Sequence, residues 1–378
     1  MGKRGNGEGS ITRHKASGKF MARYTVPTAD ATGTKRKTIY GKTREEVREK
    51  MTRAMAERDQ GIVYDDENMS VGEYLDSWLK GSVHGSVRAS TYDRYELAVR
   101  VHLKPALGST KLKKLTPAMV ATFYQDKLAA GYAPAGVNKL HVTLHKALDQ
   151  AVRWHMVPRN VCEAVSAPRP SAEEMQTLTP GQVRTLLQAA SGDRLEALYV
   201  LAIHTGMRQG ELLALKWADV ELEAATVSVR RTLTKSGTAL LTGDTKTGKS
   251  RRTISLTDAA VTALREHLQR QMEEMERLGD LYTDHGLVFT TEAGTLINPT
   301  NLRKRSFAKL LQRAGLPQIR FHDLRHTCAT LLFSKGVHPK NVQELLGHAN
   351  VAITLDTYSH VIPGMGDQTA RAMENALA

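Results

Sequence analysis

The sequence predicts a multidomain, mostly α-helical α+β protein with small antiparallel sheets. Three observations carry that reading. Apolar residues recur at helical spacing through residues 71–165 and again after Pro180. Alternating runs suited to strands are short and few: 20–26, 35–40, 226–233 and 252–256. Two breaks, a linker over 63–69 and the Pro-rich Ser166-Ala-Pro-Arg-Pro-Ser171, divide the chain. The expected units are 1–62, 63–166 and 167–378, and 378 residues are enough for each to hold a core.

The first unit is basic. It carries 15 Lys/Arg against 7 Asp/Glu, an excess of +8 within a chain of net charge +14. Its opening Gly-rich tract (Gly2, Gly5, Gly7, Gly9) is expected to be mobile. Phe20 to Val26 reads as one strand and Lys35 to Tyr40 as its partner, in a small three-stranded sheet, with Pro27, Asp30 and Gly33 in the loop. Thr43 and Glu46 form a capping box, and Val47, Met51, Ala54 and Met55 make a helical stripe that stops near Gly61. Arg23, Lys35, Arg36 and Lys37 give this sheet a basic face, read either as a DNA-binding module or as a solvated surface.

The second unit is helical throughout. Val71, Tyr74, Leu75 and Trp78 open one helix; Thr91, Tyr95, Ala98 and Val99 mark another. Thr116-Pro117 starts a third with proline at the first helical position, and Ala135 to His155 is a fourth. Lys104, Lys139 and Lys146 are the candidates there for phosphate contact; most such charges are simply solvated. In the third unit, Thr179-Pro180 begins a helix, and an apolar helix over Leu195–Thr205 ends at Gly206. Thr226 to Leu233 and Arg252 to Leu256 read as strands, Asp258 to Leu278 as a long helix, and about Thr300 to Ala314 as another.

Composition narrows the class of partner. Lys plus Arg is 53 against 39 Asp plus Glu, an excess suited to a polyanion or an anionic membrane surface. No apolar run approaches the roughly 18 residues that a spanning helix needs, and the N-terminus shows no signal-peptide pattern. Cys162 and Cys328 lie far apart and outside metal-ligand spacing, which suits a reducing, cytoplasmic compartment rather than a disulfide framework.

The chemistry gathers between His322 and Tyr358. His322-Asp-Leu-Arg325-His326 places an imidazole and a guanidinium three residues apart, on one helical face. The guanidinium is a rigid, permanently charged fork suited to phosphate, and a tyrosine hydroxyl such as Tyr358 can attack one. His322 and His326 also have metal-compatible spacing, but Arg325 in the same turn would repel a cation, so no metal is expected. Taken alone, the stretch allows a metal site, a core tyrosine or a phosphate pocket. Arg208 lies between Gly206 and Gly210, where a close approach to a ligand competes with a simple helix cap. Gly243-Asp-Thr-Lys246-Thr-Gly248-Lys249-Ser250 matches the P-loop pattern letter for letter. The following Arg251 to Leu256 reads as a strand rather than a phosphate-holding helix, so a nucleotide site is rejected. A hairpin tip presenting Lys246 and Lys249 is expected instead.

These residues together resemble the signature of the tyrosine recombinases, the phage-integrase family. The resemblance rests on Arg208 in Thr-Gly-Met-Arg-Gln-Gly-Glu, on Lys246 in Thr-Lys-Thr-Gly-Lys-Ser, and on His322-Asp-Leu-Arg325-His. Leu-Gly-His348 and Tyr358 complete it, all in order. It implies a site-specific recombinase, an integrase acting between attachment sites. Tyr358 would be the nucleophile, forming a 3′-phosphotyrosine. Arg208, Arg325 and His348 would hold the phosphate, Lys246 would be the general acid, and His322 would assist proton transfer at the nucleophile, with Glu211 supporting the site. The resemblance further implies an arm-type DNA-binding domain at 1–62, a core-binding domain at 63–166 and a catalytic domain at 167–378. It implies double-stranded DNA with core-type and arm-type sites as partner, a homotetramer on DNA, an excisionase and a host DNA-bending protein. No cofactor is implied. A tail exchanged between protomers, with Pro363 to Ala378 the candidate, belongs to the same expectation. A Xer-like resolving recombinase, a type IB topoisomerase-like activity and a non-catalytic DNA-binding regulator are the competing readings.

Overall fold

The structure, a computed structural model, describes residues 10–15, 17–27, 34–59, 68–169, 175–236, 239–244, 251–358 and 373–377. The opening glycine tract, most of the 63–69 linker, and Lys246 and Lys249 lie outside the described residues, as does most of the Pro363–Ala378 tail. The chain divides into two compact units, Met1–Ala172 and Glu173–Ala378.

The first unit opens with an antiparallel sheet in the order β1 (Ser10–Arg13), β2 (Phe20–Pro27), β3 (Thr34–Gly41), followed by α1 (Arg44–Asp59). Strand alternation decides which face each side chain takes. Ala22 and Tyr24 of β2 are buried, and Val47 and Met51 of α1 join Ala22 in a small core. At the helix start, the Thr43 hydroxyl accepts the Glu46 N–H at 3.1 Å. The Glu46 carboxylate takes the Lys42 N–H at 2.7 Å rather than that of the cap residue, so the expected box closes one residue early.

The helical part runs α2 (Val71–Trp78), α3 (Ala89–Ala98), α4 (Lys104–Leu107), α5 (Pro117–Ala129) and α6 (Pro134–Arg153). Ser70 and Glu73 form a full capping box at α2, and Thr116 caps α5 ahead of Pro117. Their apolar stripes meet in one core that includes Tyr74, Trp78, Leu103, Tyr124 and Leu144. Wide π-turns at Leu79–Val83 and Val99–Leu103 extend α2 and α3.

The second unit carries α7 (Pro180–Ala190), α8 (Glu196–Thr205) and α9 (Gln209–Leu213). The strands follow: β4 (Val220–Glu221), β5 (Thr226–Val229), β6 (Arg231–Ser236), β7 (Ala239–Asp244) and β8 (Arg252–Ser255). Then come α10 (Asp258–Leu278), α11 (Pro299–Asn301), α12 (Ala308–Arg313), α13 (Asp323–Ser334), α14 (Pro339–Leu346) and α15 (Val351–Tyr358). Two expectations are corrected. The run 226–233 is not one strand: it breaks at Arg230, with β5 between β4 and β8 while β6 pairs with β7. The strands flanking the Lys246 segment therefore do not form a hairpin with each other. β7 closes back on β6 across two residues, and β8 pairs with β5, where Val227 opposes the buried Ile254. Burial of those two side chains fixes the partner of β8. A strand, not a helix, follows the P-loop-like segment, as the rejection of a nucleotide site required. No helix among the described residues is long and apolar enough to cross a membrane.

Candidate active site

Three chain turns meet at the site, and each is fixed by a local rule. α8 stops at Gly206, which adopts φ 60°. A Cβ there would come within 2.6 Å of Leu346 and 3.3 Å of the Cys328 sulfur, so glycine is required by space as well as by backbone. α14 stops in the same way at Gly347, φ 65°. α13 begins at His322, and its first turn carries Asp323, Arg325 and His326. The Asp323 carboxylate accepts the Arg320 N–H at 2.7 Å, which ties the preceding loop to that turn.

Arg325 draws the two glycine-terminated ends together. Its Nη1 donates to the Gly206 carbonyl at 2.8 Å and its Nη2 to the Leu346 carbonyl at 2.7 Å. The residue is only 3% exposed. Burial, and next the charge of Arg208, loosen its hold on the proton, yet a guanidinium stays charged at neutral pH. Arg208 sits at the start of α9. Its Nη1 donates to Glu211 Oε1 at 2.8 Å and its Nη2 to the Gly347 carbonyl at 3.4 Å. Glu211 is buried, and burial alone would raise its carboxyl. The charge and hydrogen bond of Arg252, followed by Arg208, outweigh that and hold it below the usual carboxylate range. Arg252, from β8, completes the frame: Nη2 donates to Glu211 Oε2 at 3.0 Å and Nε to the Leu345 carbonyl at 2.6 Å.

Three histidines surround this frame, each with its pKa lowered chiefly by burial. His322 is pushed down to about 4, by burial first and then by the charges of His326, Arg325 and Arg208. His348 is also pushed down to about 4, by burial and then by Arg325, Arg208 and Arg252; its Nδ1 lies 2.8 Å from Thr354 Oγ1. Both rings are therefore neutral at pH 7. His326 Nδ1 lies 2.7 Å from the Tyr358 hydroxyl, and its ring packs edge-on to His322 at 5.0 Å. Tyr358 ends α15, wholly buried against Phe333, Val342 and Leu346. Burial pushes its phenol up to about 12, against the pull of the nearby Arg325 charge.

Arg208, Glu211, His322, Arg325, His348 and Tyr358 thus share one neighbourhood. Lys246 lies outside the described residues, between β7 and β8. Sequence reasoning missed two members. Arg252 stood in the sequence as the first residue of a strand, with nothing to say that its side chain would be 8% exposed. His326 stood there only as a metal-ligand candidate, and its contact with Tyr358 spans 32 residues. The one signal available was that His326 follows Arg325 on the same first turn. A cleft of about 690 Å³ in this unit, lined by Arg194, Thr290, Ile297, Arg305 and Lys309, shares none of these residues.

The candidate DNA contacts divide by position. Arg23 and Arg36 are exposed on one face of the sheet, and Arg23 is opposite Thr38 in register. Lys37 pairs with the buried Tyr24 and so takes the other face, towards α1. Lys35 pairs with Val26 in the backbone ladder. Lys139 and Lys146 are exposed on α6, seven residues apart and hence on one side. The Lys146 ammonium lies over the Tyr95 ring at 5.4 Å, and Lys104 pairs with Asp76 at 2.5 Å. Among the described residues, one group could hold a metal: His145, Asp149 and Glu163, whose ligand atoms lie within 4.8 Å of one another. It lies in the first unit, and Asp149 is already bonded by Asn160 at 2.6 Å.

Comparison with known proteins shows the family. The phage integrase family model matches residues 176–364, and the N-terminal SAM-like domain of phage integrases matches residues 70–128. A protein of Caldanaerobacter subterraneus subsp. tengcongensis named tyrosine recombinase XerC-like is 32% identical, over 93% of this chain and 95% of its own. An integrase of Streptomyces ambofaciens is 30% identical over 84% of this chain and 83% of its own. Among solved structures, the Tn1549 transposon integrase in complex with transposon right end DNA superposes with a TM-score of 0.69. It is 21% identical over 82% of this chain and 100% of that one, a likeness of fold. The chain belongs to the phage integrase family, the tyrosine class of site-specific recombinases, enzymes that break and rejoin DNA.

Proposed function

We propose that the chain is an integrase that cuts and rejoins double-stranded DNA at attachment sites through a 3′-phosphotyrosine at Tyr358. The observation that carries this is the meeting of Arg325 and Arg208 with neutral His322 and His348 beside the buried Tyr358 hydroxyl. Arg208 and Arg325 hold the nonbridging oxygens and offset the charge that grows on phosphorus. His348 and His322, neutral at working pH, each offer the phosphate a ring N–H without adding charge. Glu211 orients Arg208 and Arg252 and takes no part in bond making. Lys246 is the acid that protonates the leaving 5′-oxygen. The phosphotyrosine conserves the energy of the broken bond, and strand exchange follows when a partner's 5′-hydroxyl attacks it.

In this integrase, 1–62 grips arm-type sites, 63–166 core-type sites, and 167–378 does the chemistry. The DNA-bound form is a homotetramer acting in the bacterial cytoplasm, with an excisionase and a DNA-bending protein setting direction. The test is a nicked suicide duplex carrying the core site, from which the cleaved strand cannot be rejoined. The wild-type chain should form a covalent adduct, and Tyr358→Phe none; an adduct with Tyr358→Phe refutes the nucleophile. Two plasmids that each bear a site separate the competing activities. Joined plasmids mark an integrase, relaxation alone a topoisomerase-like enzyme, and no change a regulator.

A further inference from the structure

We propose that His326, through Nδ1, takes the proton of the Tyr358 hydroxyl as the tyrosine attacks and returns it when the phosphotyrosine is resolved. This rests on the reading of Tyr358 as the nucleophile. It assigns the proton transfer to a histidine other than His322.

The geometry distinguishes the three histidines. His326 Nδ1 stands 2.7 Å from Tyr358 Oη, within the range of a good hydrogen bond. The His348 Nδ1 is engaged by Thr354 at 2.8 Å. The His322 ring contacts His326 edge-on at 5.0 Å and feels the charges of Arg325 and Arg208. Of these three rings, His326 is the one whose contact with the Tyr358 hydroxyl lies within hydrogen-bond range. Tyr358 is wholly buried, so water is a poor competitor for its proton.

The direction of the bond follows from the charge state of the ring. Burial, with Arg320 and Arg325, works against a proton on His326, while Asp323 works in its favour. The balance leaves the ring neutral at rest, with one nitrogen free of hydrogen. The tautomer that carries its hydrogen on Nε2 leaves a free pair on Nδ1 to accept the phenol O–H, and it is the one the proposed step uses. Asp323, held by Arg320 at 2.7 Å, then sits where it favours the imidazolium that forms. That is the behaviour of a base that is free before the step and tolerates the proton after it.

The step balances. The Oη–P bond forms, the P–O5′ bond breaks, and the Oη proton passes to His326 Nδ1. The leaving 5′-oxygen takes its proton from the enzyme's acid, Lys246 in the assignment above. On rejoining, an incoming 5′-hydroxyl gives its proton to Lys246, left neutral by the cleavage step, as its oxygen bonds to phosphorus; the P–Oη bond breaks, and Oη recovers the proton from His326. No oxidant, metal or nucleotide enters.

The experiment is single-turnover cleavage of the nicked suicide duplex by the full chain, comparing wild type, His326→Ala, His326→Asn and Tyr358→Phe. Asparagine can accept the phenol hydrogen bond but cannot carry a proton away. Both His326 variants should cleave about 10²–10⁴-fold more slowly while binding the intact duplex as wild type does. Added imidazole should restore the alanine variant at least about tenfold, by supplying the missing base. Cleavage by His326→Ala within about threefold of wild type overturns the proposal. So does full activity of His326→Asn, which would show that the hydrogen bond only positions Tyr358, and so does failure of imidazole to rescue an alanine variant that binds DNA normally. An adduct with Tyr358→Phe would instead overturn the underlying assignment of the nucleophile, so the two failures are distinguishable.

Discussion

The two units hold their cations in opposite ways. In Glu173–Ala378, Arg325 is 3% exposed and the Arg252 side chain 8%, and each is fixed by backbone carbonyls or by Glu211. In Met1–Ala172, Arg23, Arg36 and Lys139 stand exposed on a sheet face and a helix face. Burying a charge costs several kcal/mol unless it is paired and hydrogen-bonded. The first arrangement is worth that cost where the charge must meet one phosphate in one place. The second suits a grip spread over many phosphates, where each contact is replaceable.

The difference can be tested from its strong end to its weak one. Arg325→Lys keeps the charge but loses the fork. One ammonium is a poor substitute for the two fixed guanidinium contacts to the Gly206 and Leu346 carbonyls while also meeting the phosphate. Adduct formation should fall about 10²–10³-fold, the range seen when one oxyanion donor is lost. A drop below about fivefold would show that the site needs only a point charge.

Glu211→Gln attacks the frame rather than the phosphate. It leaves Arg252 buried without its carboxylate, and should lower stability by about 3–5 kcal/mol as read by urea unfolding of the full chain. The acid limb carries the same message. A carboxyl depressed in the folded state contributes stability that is present above its unfolded value of 4.5 and is lost as pH falls through its folded value. His322 and His348, depressed from 6.5 to about 4, bind their protons more readily when unfolded, so stability declines as pH falls from about 6.5 towards about 4. Unfolding midpoints that do not change between pH 7 and pH 4 would contradict the charge frame.

At the weak end, Lys139→Ala should raise the dissociation constant for core-site DNA only a few-fold, uniformly across sequences, and lower the salt slope by about 1. A loss confined to one sequence would make Lys139 a base reader instead.

Much of this frame was legible in the sequence, and the reason is local. Gly206 announces a helix end, Thr179 with Pro180 announces a start, and the spacing of His322 and Arg325 fixes their shared turn. What was not legible depends on partners far along the chain. The break at Arg230 is hidden because Thr226 to Leu233 alternates without interruption; only the separate partners of β5 and β6 reveal it. The burial of Arg252 depends on Glu211, 41 residues earlier, and the use of His326 on Tyr358, 32 residues later. Lys37 joined Arg36 in sequence but faces the other side, because neighbours on a strand point apart.

If Tyr358 is the nucleophile, the buried hydroxyl at the end of α15 becomes joined to DNA. Protease digestion of the trapped adduct, followed by mass spectrometry of the DNA-linked peptide, reads it directly. A single linked peptide is expected, with the nucleotide on Tyr358. Linkage to any other residue would contradict it, whatever the activity of the variants.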